Sequence, residues 1–96
     1  DTATAYASGV QVTPPASSSN TIMLFLWTNT ALDATTAIRG GSSDSSFTSY
    51  TLPSGFEGAT ALHFAVDSDD FRFWRNGGTT SIDILPLWLA DPMPHE

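Results

Sequence analysis

Three carboxylates stand within four residues, at Asp67, Asp69 and Asp70. Hard oxygen donors at that spacing suit Ca2+, which takes oxygen ligands in flexible geometry. The segment lacks the central glycine and distal glutamate of an EF-hand loop. Acidic residues are equally at home on a solvated hairpin tip, which is the commoner use of such a run. A second candidate chemistry is nucleophilic. His63 and His95 are the two histidines, and a Ser-His-Asp arrangement needs one of them. With 12 serines in the chain, serine discriminates nothing. There is no G-x-S-x-G elbow and no H-E-x-x-H pair. A third chemistry is glycoside hydrolysis by paired carboxylates, Glu57 with Asp67 or Asp83. Nothing in their spacing brings them together. A non-enzymatic protein is the expectation, with no cofactor, and Ca2+ at the acidic turn is the one metal alternative.

The fourth candidate is a binding patch. Trp74 lies between Arg72 and Arg75, and Asn76 follows. An indole can stack on a sugar ring while guanidinium and amide groups bond its hydroxyls. The same residues serve as anchors at protein interfaces, and a Trp on a strand commonly packs in the core.

Charge narrows the partners. Ten acids face three arginines, with no lysine, for a net charge of −7. That balance argues against nucleic acid, which is bound by clustered cations, and against an anionic membrane surface. It removes lysine-based covalent chemistry. The longest apolar run, Ile22–Trp27, is far short of the ~20 residues of a membrane span. There is no cysteine, so no disulfide staples the fold. Stability must come from packing or from association. A hydroxyl-rich, weakly charged surface fits a virion or extracellular setting, and the start at Asp1 suggests an excised or terminal domain.

These groups must be positioned by strands. At 96 residues the chain is long enough for one domain with a thin core. Residues 1–5 and 91–96 read as extended tails. Tyr6–Thr13 alternates as a strand, ended by Pro14-Pro15, and 16–20 reads as a loop. Ile22–Trp27 is apolar on both parities: Ile22, Leu24 and Leu26 on one face, Met23, Phe25 and Trp27 on the other. A strand with a solvated face should alternate, so this one is either buried on both faces or meets another copy through one of them, and these six residues are the interface candidates. Residues 29–36 are ambiguous between a helical turn and a strand. Arg39–Ser46, RGGSSDSS, has loop composition, and Phe47–Leu52 reads as a strand. Ala61–Leu89 reads as a three-strand meander: a strand, the acidic turn, the strand Phe71–Arg75, a type I′ hairpin at Asn76-Gly77-Gly78, and a last strand. Pro86 places that strand at an edge or a bulge. Six to eight short strands with turn signals about ten residues apart predict an all-β fold, a small antiparallel, jelly-roll-like sandwich.

The run from Phe71 to Leu89, FRFWRNGGTTSIDILPLWL, resembles the closing strands of C1q/TNF-like jelly rolls and of phage tail-fibre terminal knob domains. The likeness lies in a strand, an N-G-G turn, a threonine-rich strand and an apolar strand ending in an aromatic. It covers about a third of the chain, and Ala61 and Leu62 stand where those domains usually carry an aromatic. It implies trimerisation through apolar strand faces and binding by loops, and brings no catalytic residues. The expected function is a self-assembling structural module, homotrimeric or larger, from a virion or an extracellular filament. The alternative is a carbohydrate-binding module built on Arg72, Trp74, Arg75 and Asn76.

Overall fold

The computed structural model describes residues 10–11, 18–66 and 70–90. These form seven strands: β1 (Val10–Gln11), β2 (Ser18–Thr28), β3 (Thr36–Ser43), β4 (Ser46–Leu52), β5 (Gly58–Ala65), β6 (Arg72–Asn76) and β7 (Asp83–Ala90). One sheet has the order β1-β6-β3-β4 and the other β5-β2-β7, with every pairing antiparallel. The chain is thus an all-β sandwich, as its strand spacing predicts. Aromatic rings fill the space between the sheets. Phe64 of β5 meets Phe73 of β6 edge-on at 5.1 Å and Tyr50 of β4 at 5.2 Å.

Strand β2 is the middle of its sheet. Its inward residues Ile22, Leu24 and Leu26 are completely buried. Burying side chains of this size contributes about 1.5–3 kcal/mol each. The strand begins at Ser18, so Ser18–Asn20, which read as loop, are part of the ladder. Its two neighbours take alternate residues. Val66 N–H donates to Asn20 O at 2.7 Å, and that pair shares its parity with Ile22↔Phe64 and Leu24↔Leu62. Even-numbered residues of β2 therefore bond toward β5, and odd-numbered ones toward β7. Pro86 lies opposite Leu24, at a position whose nitrogen points away from β2. A residue without an N–H costs nothing there, and β7 is an edge strand, as Pro86 implies.

Three expectations are corrected. Ala61–Leu89 is not a meander: β5 and β7 flank β2, while β6 lies in the opposite sheet between β1 and β3. Asn76-Gly77-Gly78 is accordingly not a hairpin. Gly77 and Gly78 have the positive φ values expected of them, 99° and 75°. The chain uses them to leave one sheet and cross to the other, passing so close to Thr35 that a Cβ on Gly77 would lie 2.6 Å from its carbonyl oxygen. Nor is Arg39–Ser46 a loop, since most of it lies in β3. Glycine in that strand serves close packing. A Cβ on Gly40 would stand 2.8 Å from both the Phe64 and Phe71 rings.

The ambiguous 29–36 stretch is an irregular connection until β3 begins at Thr36. It is anchored by buried Leu32, whose N–H donates to Phe56 O at 2.9 Å and whose carbonyl accepts from Gly55 N–H at 2.8 Å. Across the open side of the sandwich, the Tyr50 hydroxyl donates to His63 O at 2.6 Å. Of the predicted strand Tyr6–Thr13 only Val10–Gln11 is described, and both predicted tails lie outside the described residues.

Gly40→Ala should therefore destabilise the fold by about 1–3 kcal/mol, the cost of overpacking a tight core. Urea denaturation with an unchanged m-value and a lower midpoint is the expected result.

Candidate functional site

The inner faces are consumed by the core, so the outer faces of the two sheets hold the candidates. The outer face of β5-β2-β7 follows from register. Met23 lies beside Leu87 of β7 and His63 of β5; Phe25 beside Leu85 and Ala61; Trp27 beside Asp83 and Ala59. Trp27 is 37% exposed, Leu85 48% and Leu87 43%. The result is an apolar field across three strands, with Asp83 and His63 as its polar members.

This divides the six residues expected at an interface. Met23, Phe25 and Trp27 face outward. Ile22, Leu24 and Leu26 are core, with no surface to offer a partner. The field also contains Leu85 and Leu87, which sequence reasoning missed. Their signal was present: Leu85, Leu87 and Leu89 alternate with Ile84, Pro86 and Trp88, so β7 too is apolar on both parities.

The outer face of the four-stranded sheet is different. Arg72, Trp74 and Asn76 of β6 share it with Ala37, Arg39 and Gly41 of β3 and with Phe47, Ser49 and Thr51 of β4. Trp74 is only 8% exposed, with the Phe47 ring edge-on to it at 5.5 Å. It cannot offer an open indole face to a sugar. Arg75 has the opposite parity and is buried. Its Nη1 donates to Thr80 O at 2.6 Å and its Nε to Gly77 O at 3.3 Å. Of the predicted sugar set, only Arg72 and Asn76 remain at the surface. Arg39 joins them from the neighbouring strand, its guanidinium 4.7 Å from the centre of the Phe47 ring.

The remaining candidates are scattered. Asp70 is exposed, and Asp67 and Asp69 lie outside the described residues. Among the described residues no three His, Asp or Glu side chains cluster as metal ligands. His63 is exposed on the apolar field, and His95 lies outside the described residues. Glu57 and Asp83 do come to the same end of one sheet, because Gly58 pairs with Thr28 and Asp83 with Trp27. They sit on the two flanks of β2, about 10 Å of sheet width apart, with the exposed Trp27 between them. Asp67, the other proposed partner of Glu57, is outside the described residues.

One carboxylate does conspicuous structural work, and no sequence pattern marked it. Asp33 accepts from Thr79 Oγ1 at 2.6 Å, Thr79 N at 2.9 Å, Thr80 Oγ1 at 3.0 Å and Thr80 N at 3.3 Å. Its own N–H donates to Thr80 Oγ1 at 2.9 Å. These bonds clasp the crossing loop between β6 and β7 from one side while Arg75 holds it from the other. A Cβ on Gly78 would touch both Arg75 Nη2 and Asp33 Oδ1 at 3.0 Å, so the cation and the anion face one another across a glycine. The Thr79 side-chain bond, then the Thr79 backbone bond, hold the Asp33 carboxyl well below the usual carboxylate range.

Comparison of the chain with protein-family models, with curated proteins and with solved structures finds no match in any of the three. The functional reading therefore rests on the geometry of the faces.

The clasp predicts an acid-sensitive fold. Because the folded carboxyl titrates lower than the unfolded one, its contribution is complete above about pH 4, the unfolded value. It is lost progressively as pH falls below that toward the folded value. Asp33→Asn should be less stable at neutral pH and should lose stability less steeply from pH 5 to pH 2. Thermal melts across that range check both.

Proposed function

We propose that this chain is a non-catalytic assembly module that associates with copies of itself through the outer face of β5-β2-β7. The observation that supports this most directly is the register of Met23, Phe25 and Trp27 with Leu87, Leu85, Ala61 and Ala59. Contiguous apolar surface of this kind marks a contact site. A second copy is the favoured occupant on two grounds. A sheet face can meet its own image about a two-fold axis, each strand supplying the same side chains to its mate. A thin, cysteine-free domain also gains stability from association. The setting that suits such a module is a virion or an extracellular filament, where many copies pack together.

Two substitutions on adjacent residues separate assembly from folding. Phe25→Asp should give a folded protein that is monomeric by light scattering, with a circular dichroism spectrum like the parent's. Leu24→Asp, at a completely buried site, should unfold the chain, because an unpaired charge in the core costs several kcal/mol. A parent chain that is a folded monomer at micromolar concentration would sink the proposal. Leu87→Asp with assembly intact would count equally against it.

A further inference from the structure

We propose that the outer face of the four-stranded sheet binds an acidic saccharide, with Arg39 and Arg72 holding its carboxylate and Phe47 supporting its ring. This face is on the far side of the sandwich from the apolar field, so the proposal does not rest on self-association.

Charge is the first support. The chain has three cations against ten acids, and two of the three share this face. Arg39 lies opposite Trp74 and Arg72 opposite Gly41, so the two arginines are diagonal neighbours, about 7 Å apart at Cβ. Two guanidinium groups at that spacing repel one another in the empty site and can converge on one anion. Arg39 is fixed by its stack on Phe47. Its Nε is buried and meets no acceptor among the described residues. A buried donor without an acceptor is costly, and a carboxylate drawn onto this guanidinium compensates that cost through the shared positive charge.

The neighbours select a saccharide. Ser49, Thr51 and Asn76 are exposed on the same face and supply hydroxyl and amide partners. Phe47 is 38% exposed with the Arg39 guanidinium over its ring, so the pair sets a partly exposed apolar group directly beside the cation, where a pyranose can lean its CH groups. A long polyanion such as nucleic acid would meet the net negative charge of the rest of the chain.

Isothermal titration tests this with the whole chain and oligosaccharides of galacturonate, glucuronate and sialyllactose, each beside its neutral counterpart. Acidic members should bind, with neutral ones at least about tenfold weaker, and binding should weaken as salt is raised. Arg39→Gln and Arg72→Gln should each weaken binding about tenfold or more, and Phe47→Ala should weaken it as well. Half-buried Arg72 supplies the decisive variant should Arg39→Gln fail to fold. The same titrations on the Leu87→Asp variant should be unchanged, which separates this site from the assembly face. No binding across the panel overturns the proposal. So does equal binding of neutral sugars, full affinity in a folded Arg72→Gln protein, or equal competition by poly-glutamate.

Discussion

A strand has two faces, and β2 is apolar on both. That constraint shapes the rest of the molecule. Its inward side chains Ile22, Leu24 and Leu26 need a second sheet above them, which the Phe71–Phe73 segment and Ile38 provide. Its outward side chains Met23, Phe25 and Trp27 are only partly covered by the described residues. Strands β5 and β7 pair with both of its edges from Ile22 to Trp27, while its outer apolar face is only partly covered by the described residues. Backbone polarity and side-chain polarity are therefore satisfied on different terms. The first is met by both neighbours along Ile22–Trp27, and the second is left partly open at the outer surface of the described residues.

The polar groups follow a contrasting logic. Asp33 is remote in sequence from Arg75, Thr79 and Thr80, yet the four meet around one crossing loop. The loop spans the gap between sheets, where neither ladder can satisfy its backbone. Arg75 takes two of its carbonyls and Asp33 takes two of its amides. The glycines at 77 and 78 let the chain pass close to Thr35 and Thr36. The polar clasp at this end and the ring cluster of Phe64, Phe71 and Phe73 further in divide the task of holding the sheets together.

The positions of several strands, though not of β3, were legible in the sequence, because period-two alternation and turn residues are local signals. Phe47–Leu52, Ala61–Val66 and Phe71–Arg75 each coincide with a strand to within a few residues. The pairings were not legible. Asn76-Gly77-Gly78 reports only that the backbone turns through positive φ. That requirement is the same for a hairpin and for a crossing between sheets. Arg39–Ser46 looked like a loop because composition cannot distinguish a mobile glycine from one flattened under Phe64. In the candidate sites, parity separated Met23, Phe25 and Trp27 from their buried neighbours. The grouping of Arg72 with Arg39, rather than with Arg75, required the neighbouring strand to be known.

The order of strands has a consequence for how the chain reaches this state. Of the five neighbour pairs, only β3–β4 joins consecutive strands. Every other ladder closes a long loop, and β2 waits for β7, which follows it with four strands between. Topologies dominated by such remote pairing fold on the millisecond-to-second scale. Until β5 and β7 have both been made, the most apolar strand lacks at least one of its two edge partners. The features that make β2 the centre of the finished sheet also make it the segment most in need of protection while the chain is being synthesised.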